Sequence, residues 1–348
     1  MPHQISYAVV HGRLTPPQTF DRSCTPPPLP EASQVPDDLR PTIFTARKHP
    51  NTEEVVKQVN DFFLEHWPFK TEKHRKRFVE EGYAWFVCVN CPMSLEDRMH
   101  WGCRLLTTGF LIDDVLDSMS VKEGAAYNAK IIECSRGTVL PDRSVPAQWI
   151  MYDLFEGMRD VDKQLADELL EPTIDFLVAQ VDGNRTKPMT LKEYFDYRDA
   201  DLGKGLLSGI MRFCAGLYMT PDELELVKPA EENAMKHITF VNDVCSFEKE
   251  MLSAKHGFEL GAICSSVPIV MDLCGVNEHE AKRIMWQMVR GWEVRHFEMV
   301  DGILGKKATP SLEAYLKGLE YQTAGNELWS LLTPRYNKIG GLAFTEGR

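Results

Sequence analysis

Two aspartates, Asp113 and Asp117, continue the apolar stripe of a predicted helix. The stripe begins at Leu106 and Phe110, and steps of three or four residues keep all four side chains on one face. Two carboxylates in line with core side chains repel each other unless a cation lies between them. Because paired carboxylates suit a hard divalent ion such as Mg²⁺, the pattern predicts a metal site, to which Asp114 adds a third acid. The alternative is an acidic helix end with solvated charges.

Three oxygen-bearing side chains, Asn242, Ser246 and Glu250, form a second stripe with a spacing of four residues. Met235 and Ile238 extend the same face with apolar side chains. Polar groups on a core-facing stripe need partners, because burying them unpaired is costly. An amide, a hydroxyl and a carboxylate together predict a second Mg²⁺ site of low ligand charge. The alternative is a polar helix face whose spacing arose by chance.

The chain around these stripes carries helical signals from about residue 45, where apolar residues begin to recur every three or four positions. Thr190 with Glu193 and Thr220 with Glu223 have the capping-box spacing that opens a helix. Pro229 is predicted to open a further helix. Alternating strand patterns are almost absent. The sequence therefore predicts an all-α fold, with one helical domain over residues 45–348.

The N-terminal segment, residues 1–44, differs in composition from the rest of the chain. Eight of the 21 prolines lie between Pro16 and Pro41. Proline has no backbone N–H and favours extended conformations over helix. We therefore expect a flexible Pro-rich segment that serves as a tail or a strap.

Charge and composition exclude several classes of protein. The chain has 348 residues, of which 39 are basic and 51 acidic, so its formal net charge is -12. This acidity argues against nucleic acid as a partner. No apolar run reaches the roughly 18 residues of a membrane span, and no secretory signal is legible. Nine cysteines without regular spacing fit a reducing compartment. A cytoplasmic protein with a small-molecule substrate is expected, as a monomer or a homodimer.

The motifs resemble those of a known family. The sequence from Asp113 to Asp117 is similar to the aspartate-rich motif of class I terpene synthases, and the sequence from Asn242 to Glu250 is similar to their NSE motif. Arg198 resembles the diphosphate-sensing arginine of that family. The resemblance extends from about residue 62 to residue 337, and several stretches look like fungal sesquiterpene cyclases of the aristolochene synthase kind.

The resemblance implies an α-bundle enzyme that ionises farnesyl diphosphate with three Mg²⁺ ions and cyclises the resulting cation. It implies the following site residues: the metal ligands Asp113, Asp117, Asn242, Ser246 and Glu250, and the diphosphate-binding residues Arg198, Lys249, Arg335 and Tyr336. Asp201, three residues after Arg198, is expected either to orient that arginine or to form a plain turn.

An apolar pocket with aromatic faces is expected beside the diphosphate, because the allyl cation must be kept from water. Phe110 is the best candidate from its position alone, and Phe176 and Trp329 match cavity-lining positions of the family. Asn90 stands where the family carries a tyrosine that reaches into the pocket. We therefore expect a variant product and a changed product ratio in Asn90→Tyr.

Two other functions remain open at this stage. One is a prenyl-chain-elongating transferase that uses the same ions. The other is a non-catalytic helical binding protein whose acids are surface features. The elongating transferases repeat the aspartate-rich motif where an NSE-like motif stands here, which favours the cyclase.

Overall fold

The computed structural model describes residues 8–10, 13–15 and 34–337. The described helices are α1 (Thr52–His66), α2 (Glu72–Glu81), α3 (Tyr83–Asn90), α4 (Met99–Leu116), α5 (Val121–Ser135), α6 (Pro146–Ala179), α7 (Leu191–Asp201), α8 (Lys204–Ala215), α9 (Pro221–Ala254), α10 (Ser266–Cys274), α11 (Glu278–Leu304), α12 (Pro310–Leu332) and α13 (Pro334–Asn337). A short 3₁₀ turn, Gly183–Thr186, precedes α7. The only described strands, β1 (Ala8–Val10) and β2 (Arg13–Thr15), form an antiparallel hairpin. The predicted all-α fold is confirmed.

Local sequence signals explain where two of the long helices begin. The Thr190 hydroxyl accepts a hydrogen bond from the Glu193 backbone N–H, and the Glu193 carboxylate accepts one from Thr190, which completes the predicted capping box of α7. Thr220 and Glu223 do the same for α9. Both predicted helix starts are therefore correct.

The predicted helix start at Pro229 is wrong, because this proline lies inside α9. Proline removes one backbone hydrogen bond from a helix, at a cost of roughly 3 kcal/mol. Packing outweighs that cost here, since Val227 and Ala230 on either side of the proline are fully buried. The continuous α9 places the stripe from Asn242 to Glu250 deep in the bundle.

The helices pack around α9 as the central element. It contacts α11, α12, α10, α7 and α13, while α6 packs against α4, α5 and α8 on the other side of the bundle. Large side chains such as Trp286, Phe155 and Phe213 are fully buried between these helices. No helix in the described residues is both long enough and apolar enough to cross a membrane.

Helices α3 and α12 approach closely at Gly325. A methyl group added there would lie 2.5 Å from the Val89 carbonyl oxygen, so the backbones would have to separate. We expect Gly325→Ala to destabilise the fold by about 1–3 kcal/mol. Gly291, in α11, has no neighbouring atom within 4 Å of an added methyl group. Gly291→Ala should be neutral or stabilise by up to ~1 kcal/mol, and equal unfolding free energies for the two variants would contradict the close approach.

The described part of the Pro-rich segment, residues 34–44, lies along the body as a strap. Trp286 donates its indole N–H to the Gln34 carbonyl at 3.0 Å, and Arg290 donates its Nε–H to the Arg40 carbonyl at 2.9 Å. Leu39, in the middle of the strap, is buried against the body. Apart from the hairpin, residues 1–33 lie outside the described residues, so the expected flexibility of that part stays a prediction.

Candidate active site

A cavity of about 160 Å³ opens among α3, α4, α6, α7, α8, α9, α12 and α13. It brings together residues that lie far apart in the sequence. The predicted site residues that line it are Asp113, Asp117, Asn242, Ser246, Glu250, Arg198, Asp201, Lys249, Arg335, Tyr336, Phe110, Phe176 and Trp329. Every predicted site residue except Asn90 therefore lines one cavity.

The C-terminal end of α4 divides its three aspartates between two directions. Asp113 and Asp117 line the cavity, whereas Asp114 faces Arg335 and Tyr83. Burial and the negative charge of Asp117 raise the pKa of Asp113 to about 6 from its ordinary 3.8. A cation that enters the cavity would therefore stabilise the charged form of Asp113.

The predicted stripe on α9 faces the same cavity. The Ser246 hydroxyl donates to the Glu250 carboxylate at 2.7 Å, and the backbone N–H of Cys264 donates to the other Glu250 oxygen at 3.0 Å. Burial and the charge of Asp243 raise the pKa of Glu250 to about 7 from its ordinary 4.5. Asn242 lies one turn before Ser246 and completes the three oxygen donors.

Arg198 projects from α7 toward the α9 stripe. Its guanidinium donates to the Asn242 amide oxygen at 3.1 Å and to the Asp243 carboxylate at 3.2 Å. It also forms an ion pair with Asp201, one turn further along α7. Arg198 is 6% exposed, so this network holds a desolvated positive charge at the wall of the cavity. The structure therefore places Asp201 in contact with Arg198, as the orienting role requires.

Arg335 is a second buried cation that lines the cavity. It donates to both oxygens of Asp114, at 2.8 and 3.3 Å, and to the Tyr83 hydroxyl at 2.6 Å. Its guanidinium also lies 3.5 Å from Asp113 and 3.6 Å from Glu81. Burial opposes this positive charge, but the surrounding carboxylates raise the pKa of Arg335 well above its ordinary value. The arginine therefore stays charged with its donors next to the aspartate stripe.

Two further polar groups complete the mouth of the cavity. The Lys249 ammonium lies 3.7 Å from the Asp117 carboxylate. The Tyr336 hydroxyl accepts a hydrogen bond from the Asn242 amide at 3.0 Å. Lys249 therefore lies beside the aspartate stripe of α4, and Tyr336 lies beside the polar stripe of α9.

Aromatic rings form the apolar wall of the cavity. The ring of Phe110 stacks on Tyr83 at 4.5 Å between centroids and lies 5.5 Å from Trp329, which in turn lies 4.8 Å from Phe86. Phe176 occupies the facing side, where an added methyl group at Gly109 would lie 3.4 Å from its ring. The π faces of such rings favour a desolvated cation.

Comparison with known proteins identifies the family. Residues 104–294 match the family described as "Terpene synthase family 2, C-terminal metal binding". That stretch contains the aspartate stripe of α4, the Arg198 network and the polar stripe of α9. The chain belongs to the terpene synthase family. The predicted enzyme class, a terpene cyclase that cleaves a carbon–oxygen bond to phosphate, is therefore confirmed.

Relatives cover most of this terpene synthase. It is 48% identical to an aristolochene synthase of Aspergillus terreus over 86% of this chain and 94% of that protein. It is 43% identical to an aristolochene synthase of Penicillium roqueforti over 85% of this chain and 88% of that protein. The predicted similarity to fungal sesquiterpene cyclases of the aristolochene synthase kind is confirmed.

Solved structures have the same fold as this terpene synthase. The crystal structure of aristolochene synthase from Penicillium roqueforti superposes with a TM-score of 0.74 at 42% identity, covering 84% of this chain and 98% of that one. Germacradien-4-ol synthase from Streptomyces citricolor superposes with a TM-score of 0.70 at 15% identity, covering 86% of this chain and all of that one. The second match shows the fold alone.

Asn90 lies outside the cavity of this terpene synthase. Its amide donates to the Phe86 carbonyl at 2.8 Å, and the residue is buried near Met211 and Gly318 instead of lining the active-site cavity. Asn90 ends α3 one turn after Phe86, and the Phe86 ring stands in the cavity wall. The sequence places both residues on one helix, but their depth in the bundle depends on how α3 packs against α12. The structure therefore gives no support to direct contact between Asn90 and a cation.

Several residues that support the site were not singled out from the sequence. Asp243 is fully buried in α9 and accepts hydrogen bonds from Tyr194, Ser266 and Arg198. Burial raises its pKa, although the arginine opposes that shift. The position of Asp243 next to the predicted ligand Asn242 could have indicated a role in the site. Its hydrogen-bond partners, however, lie on α7 and α10, which sequence spacing does not bring together.

A second group of possible metal ligands lies away from the cavity. His237, Glu293 and Glu327 bring three ligand atoms within 4.8 Å of one another in the described part of the chain. Arg290 already binds this group, donating to both Glu327 oxygens at 2.6 and 2.8 Å and to Glu293 at 2.6 Å. Glu293 also accepts from the backbone N–H of Ile43. We assign this ion cluster to anchoring the strap, because the guanidinium takes the place that a metal ion would need.

Proposed function

We propose that this terpene synthase converts farnesyl diphosphate into a cyclic sesquiterpene and inorganic diphosphate. The observation that carries the proposal is one cavity with two unlike walls. Acids, amide and hydroxyl oxygens and basic donors surround its mouth, while aromatic and aliphatic side chains line its interior. A diphosphate with an apolar prenyl chain matches both walls, and the relatives named above are aristolochene synthases.

The donor set at the mouth fits Mg²⁺. Oxygen ligands are available from carboxylate, amide and hydroxyl groups, and burial together with neighbouring acids raises the pKa of both Asp113 and Glu250, so a divalent cation would stabilise their charged forms. We assign the ions, three in number, to Asp113, Asp117, Asn242, Ser246 and Glu250. When bound, Mg²⁺ neutralises the negative charge that develops on the departing diphosphate.

The basic residues would hold the diphosphate in place. Arg198 and Arg335 can each present a planar fork of donors to phosphate oxygens, and Lys249 adds a point charge. Arg198 now binds the Asn242 amide oxygen, which is also a proposed metal ligand. Turning its donors toward a diphosphate would free that oxygen. We propose that Asp201 keeps the arginine beside the mouth during this exchange.

The aromatic wall would shape the prenyl chain and exclude water after ionisation. Phe110, Phe176 and Trp329 line the cavity interior, and Phe86 joins them. Rings that face a desolvated cation stabilise it by up to ~2 kcal/mol each. Because Asn90 is not among the residues that line this cavity, we assign the course of cyclisation to these rings. The product is aristolochene or a related cyclic sesquiterpene.

Inorganic diphosphate release from farnesyl diphosphate tests this function. We expect release in Mg²⁺ and its loss in excess chelator, with recovery when Mg²⁺ is restored. A prenyl-chain-elongating transferase would instead release diphosphate only with isopentenyl diphosphate as co-substrate. A non-catalytic binding protein would release none in either buffer, and release that persists in chelator would exclude the metal-dependent mechanism.

The pH dependence of stability provides a further prediction. Folding raises the pKa of Glu250 from 4.5 to about 7 and that of Asp113 from 3.8 to about 6, so the native state binds more protons between those values than the unfolded chain does. These groups therefore make the metal-free protein less stable as the pH rises through that window. Glu250→Gln should reduce this loss of stability with rising pH.

Mg²⁺ should reverse this effect because it binds the deprotonated carboxylates. Thermal unfolding is measured with chelator and with Mg²⁺ at about pH 5 and about pH 8. We expect the gain in Tm from Mg²⁺ to be larger at the higher pH. An equal gain at both pH values would show that these carboxylates do not bind the ion.

A further inference from the structure

A second cavity of about 210 Å³ lies next to the first, on the other side of the C-terminal end of α4. Asp113 lines the first cavity and Asp114 lines the second. Lys249 lines both, so its side chain stands on the border between them. We call this second space the annex. It is lined by Trp67, Pro68, Phe69, Lys70, His74, Arg77, Phe78, Glu81, Leu111, Asp114, Val115 and Lys249.

The acids of the annex already have partners within the protein. Glu81 binds Arg77 at 2.7 Å and also accepts from the Tyr83 hydroxyl. Asp114 binds the buried Arg335 at 2.8 Å. Both acids are therefore neutralised and do not repel an incoming anion.

The annex also holds cations that its acids do not use. Lys70 and His74 line it without forming an ion pair with any residue that the structure describes. The annex lining thus has three permanent positive charges, on Lys70, Arg77 and Lys249, against two acids, before any charge on His74. Lys249 also lies 3.7 Å from Asp117 of the first cavity. A surplus of positive charge on a protein of net charge -12 is a local feature that concentrates anions.

The remaining wall of the annex is apolar. It consists of Trp67, Phe69, Phe78, Leu111 and Val115. Apolar walls exclude water and strengthen the attraction between a phosphate oxygen and a nearby cation. Lysine and histidine beside such a wall suit a compact anion with several oxygens.

We propose that the annex is a second diphosphate-binding site, beside the one in the active-site cavity. This inference rests on the proposed function, which supplies the ligand. The diphosphate can be the inorganic product, passed across Lys249 after ionisation, or the head group of a second substrate molecule. Both sources share the chemistry that Lys70, His74 and Lys249 recognise.

Calorimetric titration with inorganic diphosphate in Mg²⁺ tests the inference. We expect two equivalents per chain in the native protein. The double variant Lys70→Ala/His74→Ala should bind one equivalent, with the second site weakened ~10-fold or more. Lys73→Ala is the matched control, because Lys73 lies on α2 next to His74, is exposed and does not line the annex. It should retain both equivalents.

The outcomes separate the inference from the proposed function. If the native protein and the double variant bind the same number of equivalents of inorganic diphosphate, whether one or two, the second binding site is excluded and the proposed function remains intact. No binding in either would contradict both. Thermal unfolding and kcat/KM for farnesyl diphosphate at low concentration should be unchanged in the double variant, which checks that its fold and active site survive.

A second titration identifies the source of the diphosphate. A farnesyl diphosphate analogue with a non-cleavable sulfur link replaces the inorganic ion. Two equivalents of the analogue would show that the annex accepts the head group of a second substrate molecule. One equivalent, with two of inorganic diphosphate, would show that it takes the released product.

Discussion

Glu250→Gln is expected to lower kcat/KM for farnesyl diphosphate by about 100-fold or more, the size of effect seen when one group that stabilises developing charge is removed. Glutamine has nearly the same shape: its amide oxygen can accept from the Cys264 backbone N–H while its NH2 group donates to the Ser246 hydroxyl oxygen, so both hydrogen bonds survive with the one to Ser246 reversed. What is lost is the negative charge proposed to hold a metal ion. Steady-state kinetics in saturating Mg²⁺ measure the effect.

Glu248→Gln is the matched control for this variant. Glu248 lies on the same helix and makes an ion pair with Lys282 at 2.5 Å, away from the cavity. Its replacement should change kcat/KM by no more than about twofold, since surface ion pairs contribute little. Rates near those of the native protein for Glu250→Gln would exclude Glu250 as a metal ligand.

Arg335→Ala is expected to cost both stability and turnover. The substitution leaves the carboxylates of Asp114 and Glu81 without their shared cation in the interior. Breaking a fully buried ion pair from one side costs about 3–5 kcal/mol. Because the Asp114 side chain is 36% exposed, we expect a loss below that range, of about 2–3 kcal/mol. Turnover should also fall, because the proposed diphosphate donor is gone. Denaturant unfolding and steady-state kinetics measure the two losses.

The double variant Arg335→Ala/Asp114→Asn separates these two roles. Neutralising Asp114 removes one of the unpaired buried charges, so part of the lost stability should return. Turnover should remain low, because no donor to the diphosphate has been restored. Recovery of turnover together with stability would show that Arg335 acts only by supporting the fold.

The sequence alone located the two stripes that line the cavity, because helical periodicity is a local property. Asp113 with Asp117, and Asn242 with Ser246 and Glu250, follow the steps of three and four residues that keep side chains on one helix face. Helix caps could be predicted for the same reason, as the capping boxes at Thr190 and Thr220 show. The placement of these residues on a shared cavity then followed from the family resemblance.

Features that depend on packing between helices could not be predicted in this way. Helical periodicity turns Asp114 away from the stripe of Asp113 and Asp117, but its partner Arg335 lies on α13, far along the chain, and could not be predicted from local spacing. Pro229 was predicted to open a helix, but α9 continues through this position because the residues on either side of it are buried. The position of Asn90 outside the active-site cavity depends on how closely α3 packs against α12.

Gas chromatography with mass spectrometry of the products from farnesyl diphosphate and Mg²⁺ tests the central claim most directly. The cavity pairs the proposed diphosphate-binding residues with aromatic side chains, so we expect a cyclic sesquiterpene as the main product, formed in equal amount to inorganic diphosphate. Authentic aristolochene identifies the skeleton. Unchanged substrate, or only linear farnesol and farnesene, would contradict the account, because the cavity would then fail either to ionise the substrate or to fold its chain.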